Sequence, residues 1–548
     1  MTRGGQGRLD VSALEPRSTP GEAFTKRNRT GRRTFRVGAP PRSGWAVKAR
    51  AVFVPLLAAF AVPAWSQAPS FPEDRELEGK SAGDLVLRRG SYGDSPADWG
   101  WMLVPQRRSD SDSRVIRLAL VRQPAFGDPT EPALFNLVGG PGQSNVFGSG
   151  EIPRELRAAS DVVRVGYRGI DGDVELQCPE YVRALQTEQP LSGASIERAR
   201  AALRACHDRF AAAGIDLAGY GLLEVVDDIE AARSALGYDR IDFWAVSWGT
   251  QIALTYCVRY PERVRRMFLV GAGGPARGFD LWDPRVMEAK LRRYGELWKL
   301  DPEASARSAD ILETIRNVLT LLPRDWNGVR IDRDKVRLGL WYMLRSVTEG
   351  AQALDAFAAA EDGDWGGLAL ISWGYDEEQR RALAEPHGEY HGEFFAKVMS
   401  TGLDPERNWV ADMDPEGSVL GSPAAQLLWG AASHGGWPAQ PIPEEYRRIK
   451  HISVETLVLM GNLDFSSPHE YVERELLPHL GHGRLVVLSE MGHVDVAQLQ
   501  HEAFDHAALR FLREGVVDTS KFVHQSIDFT PAERLQDIAR TLVPLKER

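Results

Sequence analysis

Apolar residues recur along the chain in short continuous runs bounded by glycine, proline and polar turns. Six such runs stand out, at 132–138, 161–166, 240–246, 267–270, 455–460 and 484–488. Runs of that length without alternation are the pattern of strands buried on both faces. Ahead of them, 99–104 and 114–121 alternate apolar and polar like antiparallel edge strands. Helical spacing appears at 222–236 and directly after 240–246, at Gln251-Ile252-Ala253-Leu254-Thr255-Tyr256. Strands alternating with helices predict an α/β protein with a mostly parallel central sheet and helices on both faces.

The alternation is interrupted once. Residues 277–447 are helical in pattern and hold nine of the 15 tryptophans, Trp282, Trp341 and Trp429 among them. This stretch predicts an inserted helical lid domain that makes a pocket over the sheet. For any single tryptophan, packing inside the lid's own core is an equally good reading. The α/β core is then split into 67–276 and 448–548. No internal repeat is evident.

The amino-terminal region reads differently. Residues 1–46 are rich in Arg, Gly, Ser, Thr and Pro without apolar period and predict disorder. At 47–66 a basic start, Val47-Lys48-Ala49-Arg50, precedes a short apolar core, and Ala64-Trp65-Ser66 closes it. That is the pattern of a secretory signal peptide, with an uncleaved anchor as the structural alternative. A signal core is presented early, so the reading expects translation from Val47, residues 1–46 as a mis-called extension, and a mature start near Gln67. A periplasmic or secreted location follows. Residues 1–50 carry 12 Lys/Arg against 3 Asp/Glu, so a chain of net charge −10 has a body of −19. An acidic body argues against nucleic acid as a partner, and against a membrane beyond the signal segment. Oligomeric state has no signature here.

Candidate chemistry lies at strand ends. The run 240–246 passes straight into Ser247 and then a helix, the setting of a nucleophile elbow. Ala245 and Gly249, two residues either side, are small enough for strand and helix to pass closely. The bland alternative is a serine capping a helix. After 132–138 comes Gly139-Gly140-Pro141-Gly142, a turn able to aim the Gly140 N–H at an oxyanion, with the Trp248 N–H as second donor. The run 455–460 leads to Asp464, and 484–488 leads through Gly492 to His493. The order Ser, Asp, His is that of the α/β-hydrolase fold. In these roles His493 takes the Ser247 proton and Asp464 holds the imidazole. His469, His479, His482 and His501 are rival bases, and Glu490 and Asp495 rival acids. His493 and Asp464 are preferred because each closely follows a strong strand.

These motifs resemble the proline iminopeptidase and tripeptidyl aminopeptidase family of α/β-hydrolases, over roughly 95–275 and 448–500. That family carries a Gly-Gly-Pro-Gly loop, usually after histidine, where this chain has Val138. It carries an Asp-x-Arg-Gly segment, where Gly166-Tyr167-Arg168-Gly169 keeps the arginine and glycine but not the aspartate. Its Tyr-Pro-Glu-Arg-Val run is present as Tyr260-Pro261-Glu262-Arg263-Val264. The resemblance implies an exported serine peptidase that releases N-terminal residues or short peptides through an acyl-enzyme.

An aminopeptidase must pair the substrate ammonium with a carboxylate, and Glu389-Tyr390-His391-Gly392-Glu393-Phe394-Phe395 is the expected source. A carboxylic-ester hydrolase with the same triad remains the alternative, since both use the acyl-enzyme route. A binding protein that kept the fold without the chemistry is a third reading. The substrate is accordingly a peptide or a small ester. Neither a metal-ligand spacing nor a phosphate loop is present, so no cofactor is expected. Cys178 and Cys206 are expected to pair in an oxidising compartment, leaving Cys257 free.

Overall fold

The apolar runs form one twisted sheet. The protein is described by a computed structural model covering residues 7–10, 70–147, 152–274, 277–384, 389–448 and 451–542. In chain order the strands are β1 (Gly7–Asp10), β2 (Leu85–Tyr92), β3 (Ser95–Pro105), β4 (Val115–Gln123), β5 (Ala133–Leu137), β6 (Val162–Val165), β7 (Ile241–Val246) and β8 (Val264–Val270). A separate hairpin, β9 (Asp325–Trp326) with β10 (Val329–Arg330), precedes β11 (Ile452–Gly461) and β12 (Leu480–Leu488). The order across the sheet is β1-β12-β11-β8-β7-β5-β6-β4-β3-β2. Pairing is parallel from β1 to β6 and antiparallel from β6 through β4 and β3 to β2.

The central strands bury both faces, so neighbouring residues serve opposite cores. Phe135 and Phe243 join the cluster containing Val225, Val226 and Ile229 of helix Leu222–Ala235. Leu134, Trp244 and Phe268 join Phe504 and Phe511 of helix His501–Glu514. Helices therefore cover both faces, as the pattern predicts. Burying each such aromatic fully contributes on the order of 2–3 kcal/mol. The helical insert follows β8, running from Pro284–Leu300 to Pro423–Ala432 before the chain returns as β11.

Three expectations are corrected. First, Gly7–Asp10, inside the stretch expected to lie apart from the sheet, pairs parallel with Arg484–Val487 as β1. Beyond β1, β12 would offer a row of unpaired backbone groups, and even a short segment gains by meeting them. Second, β3 and β4 are not the sheet's edge, because β2 lies outside them. Its Arg88, Arg89, Gly90 and Ser91 break the apolar alternation that would mark it. Third, the carboxyl-terminal part does not pack wholly on the sheet. Ile527, Phe529, Leu535 and Ala539 belong to the core of the insert. The signal-like segment at 47–66 lies outside the described residues.

Cys178 and Cys206 form a disulfide with Cα atoms 5.6 Å apart. It ties the start of helix Pro179–Leu185 to helix Gly193–Ala212. Cys257 is free and buried, and burial raises its thiol far above the ordinary range. Among the described residues no helix is long and apolar enough to cross a membrane.

Candidate active site

β7 ends at Val246 and the next helix begins at Trp248, leaving Ser247 alone on the turn. Its backbone sits at φ 55°, ψ −125°, a conformation costing a non-glycine residue about 1–3 kcal/mol. The surroundings hold it there. The Ser247 N–H donates to the Val270 carbonyl at 2.8 Å, and Thr250 Oγ1 donates to the Ser247 carbonyl at 2.6 Å. The helix also passes so close to the neighbouring strand β5 that a Cβ on Gly249 would lie 2.5 Å from the Leu137 carbonyl oxygen.

The turns after β11 and β12 bring the other two expected residues to Ser247. His493 Nε2 lies 2.8 Å from Ser247 Oγ, and Nδ1 lies 2.8 Å from Asp464 Oδ2. An ionised carboxylate only accepts, so Nδ1 carries the hydrogen and Nε2 is left to accept from the hydroxyl. Asp464 is fully buried, and its Oδ1 accepts the Ser466 and Ser467 N–H groups at 2.7 Å each. Four of the six rivals are engaged elsewhere. Asp495 accepts the Gly492 and Val347 N–H groups and so braces the His493 turn. Glu490 faces His524 and the Ile527 N–H. His501 faces Asp505, and His469 faces Glu470 and Glu473.

The glycine-rich loop passes directly over the serine. A Cβ on Gly139 would lie 2.5 Å from Ser247 Cβ, and Gly140 and Trp248 both line the cavity at Ser247. One of the two departures from the family pattern is filled by another residue. At position 138 the bonds are made by the backbone: the Val138 N–H donates to Asn145 Oδ1 at 2.9 Å and its carbonyl accepts from the Tyr167 hydroxyl at 3.0 Å. In place of an aspartate at 166, the Asp171 carboxylate accepts from the Asn145 and Tyr167 N–H groups at 2.9 Å and from the Ser144 hydroxyl. A Cβ on Gly166 would lie 2.5 Å from Asp171 Cβ, so only one of these positions can carry the acid. Burial pushes Asp171 up to about 6, against the pull of those donors. Arg168 is structural: it is fully buried and grips Asp228 through Nε and Nη2 at 2.7 and 2.6 Å.

Above the serine, side chains of the insert close a cavity of about 130 Å³. Trp282 and Trp341 line it, whereas Trp298 and Trp409 are buried in packing, so the tryptophans divide between both roles. Of the acid-rich stretch, the two glutamates part company. Glu393 is buried against Lys397, 3.2 Å away, and accepts the Gly142 N–H at 2.7 Å. Glu389 lines the cavity. About a third of its side chain (34%) is accessible. Burial, then repulsion from Glu378, raises it to about 7. Its neighbour His391, 3.6 Å away, is pushed down to about 4 by burial and is neutral near pH 7. Arg345, which also lines the cavity, carries no pattern in the sequence that marks it as more than a helix-end cation. Among the described residues no cluster of three or more His, Cys, Asp or Glu could hold a metal ion.

This sheet order, with the serine on the turn after β7 and the acid and histidine after β11 and β12, is the α/β-hydrolase fold, and residues 193–342 match the family described as alpha/beta hydrolase fold. Within that class the chain is similar to serine peptidases. It is 30% identical to serine protease Hip1 of Mycobacterium tuberculosis over 217 residues, covering 35% of this chain and 38% of that protein. It is 28% identical to tripeptidyl aminopeptidase of Streptomyces lividans over 341 residues, covering 57% of this chain and 61% of the relative. The chain thus spans less than two thirds of the length of the curated relatives it matches. A solved structure of meta-cleavage product hydrolase from Pseudomonas fluorescens aligns at TM-score 0.33 and 15% identity, over 73% of this chain and 96% of that one.

Proposed function

We propose that the protein is a serine hydrolase, and specifically an aminopeptidase that releases N-terminal residues or short peptides. The observation that carries this reading is one cavity holding both the Ser247–His493 pair and Glu389, a carboxyl whose one partner within ion-pair distance among the described residues is His391, a histidine that burial keeps neutral near pH 7. Ser247 Oγ attacks the scissile carbonyl while His493 Nε2 takes its proton. Asp464 keeps the imidazole in its tautomer and stabilises the imidazolium. The Gly140 and Trp248 N–H groups receive the oxyanion. His493 then protonates the departing amine, and water attacks the acyl-enzyme by the same route in reverse.

Glu389 supplies the recognition. A substrate ammonium entering the cavity loses water and needs a counter-charge, and ionised Glu389 gives it one. The helical insert acts as the lid that excludes water around this pair. The name tripeptidyl aminopeptidase in the similar chain of Streptomyces lividans supports the reading. Export through the segment at 47–66, and residence in the periplasm or medium, belong to the same proposal; N-terminal sequencing of the exported protein should begin near Gln67, so that β1 leaves with the leader and β12 becomes the edge of the mature sheet. The enzymatic test is a side-by-side assay of peptide arylamides with free and with acetylated amino termini, together with simple aryl esters. Among the peptides, turnover confined to those with a free amino terminus is the expected result, with activated aryl esters also cut by the same acyl-enzyme route. Turnover of esters alone would instead identify a carboxylic-ester hydrolase.

A further inference from the structure

The cavity that holds Ser247 also holds a cation. Arg345 lies just beyond helix Arg333–Met343, and its guanidinium shares the cavity with Ser247, Glu389 and His493. Its backbone and one side-chain nitrogen are committed. The Arg345 carbonyl accepts the His493 N–H at 2.8 Å. Arg345 Nε donates to Ser466 Oγ at 2.6 Å, and the Ser466 N–H donates to Asp464 at 2.7 Å. The Nε bond holds the guanidinium itself, while the other two links tie the Arg345 backbone to His493 and its partner Ser466 to Asp464. The Nη groups are not committed: among the described residues no carboxylate stands within ion-pair distance of them. Glu349 and Glu389 feel the charge without closing on it.

A guanidinium is a planar fork that stays charged and matches a carboxylate two bonds at a time. Held half-buried with its free edge on a cavity, it is pre-organised for such a group. The opposite charge on Glu389 in the same cavity disfavours a dianion such as phosphate. A molecule with one ammonium and one carboxylate meets both. We infer that Arg345 is a specificity-determining residue that takes a carboxylate of the substrate, so that the pocket selects peptides bearing a free amino terminus and an acidic group. This rests on the aminopeptidase reading and names its substrate class. The carboxylate has two sources, an Asp or Glu side chain or the free carboxyl terminus of a short peptide.

The experiment measures kcat/KM for matched acid and neutral substrates in wild type, Arg345→Gln and Arg345→Lys. One set compares tripeptide arylamides with Glu or Gln at each position. A second compares tetrapeptides with a free or an amidated carboxyl terminus. A third compares 4-nitrophenyl hydrogen glutarate with its methyl ester. Wild type should favour the acid by about 10- to 100-fold, the worth of a desolvated charge-assisted hydrogen bond, and the set showing this names the source. The preference is a ratio within each variant, so a general loss of activity cancels. It should fall to near one in Arg345→Gln and to an intermediate value in Arg345→Lys, which keeps the charge but loses the fork. Equal rates for every pair in wild type overturn the inference, as does an acid preference that survives in Arg345→Gln. If no peptide is cut while the esters are, the aminopeptidase reading fails and the glutarate pair alone decides the role of Arg345.

Discussion

The buried pair Glu393–Lys397 offers a sharp test of how the glycine-rich loop is held in place. Both side chains are fully buried. Glu393 accepts the Gly142 N–H at 2.7 Å, and Lys397 donates to the Tyr220 carbonyl at 2.7 Å. Burial works against both charges, raising the Glu393 pKa and lowering that of Lys397. Glu393→Ala removes the only ion-pair partner Lys397 has among the described residues. Breaking a buried pair from one side costs about 3–5 kcal/mol, and the orphaned Gly142 N–H adds about 1–3 kcal/mol. Allowing for overlap, the loss is on the order of 4–6 kcal/mol. Lys397→Met is milder, because Glu393 keeps the Gly142 bond and can escape its charge by taking a proton. The double variant Glu393→Gln, Lys397→Met removes both charges and keeps an acceptor for Gly142, so it should fall within about 2 kcal/mol of wild type. Urea midpoints of the four proteins, together with kcat on an aryl ester, measure this. Gly142 is two residues from Gly140, so Glu393→Ala should lower kcat more than it raises KM. The order of stability should be wild type, double variant, Lys397→Met, Glu393→Ala. Glu393→Ala within 1 kcal/mol of wild type, or Lys397→Met as damaging as Glu393→Ala, would refute the reasoning.

Ser247→Ala should abolish fluorophosphonate labelling and lower kcat by on the order of 10⁶; labelling that persists would move the nucleophile elsewhere. Asp464→Ala should cost about 10⁴ in kcat with little change in KM, whereas Glu490→Ala, whose partners are His524 and Ile527, should leave the ratio of the two intact. Glu389 has its pKa raised to about 7, so it is neutral below that pH and its grip on an ammonium is lost as pH falls. Dividing kcat/KM for a free-amine peptide by that for a neutral ester cancels the histidine, and the quotient should drop below pH about 7 in wild type but stay flat in Glu389→Gln. Breaking the Cys178–Cys206 bond, with a sequence separation of 28, should lower stability by about 3–4 kcal/mol. Thiol counting of the unreduced, denatured protein should find Cys257 alone.

Much of this architecture is legible in the sequence because its strands are buried on both faces. Runs such as 132–138 and 240–246 are mostly apolar on both faces, and each ends beside a residue of the candidate site. Ser247, Asp464 and His493 are found this way, since the turn after a parallel strand is where the side chain must emerge. What escapes the sequence depends on contacts between distant segments. Asp171 fills the space beside Gly166 from five residues on, through a backbone path no local pattern shows. Glu389 and Glu393 look alike in sequence; only the approach of Gly142 and Lys397 separates the one in packing from the one in the cavity. Arg345 is recruited by hydrogen bonds to residues more than a hundred positions away. β1 pairs across almost the whole chain, with a stretch whose own pattern gives no hint of an added neighbour.

The helical insert also sets the order in which the sheet can be completed. β8 pairs with β7 on one side and with β11 on the other, and roughly 180 residues separate its end from the start of β11. At a synthesis rate of about 5–20 residues per second, β8 waits on the order of 10–40 s for its second neighbour. During that interval an apolar strand from the middle of the finished sheet is an open edge, the kind of edge that recruits other chains. In translation without export, a ribosome-bound chain halted within the insert should therefore be aggregation-prone and bind chaperones, and should lose both properties once β11 and β12 emerge. The same delay means that Ser247 is made, and its strained turn has to be tolerated, well before Asp464 and His493 exist to use it.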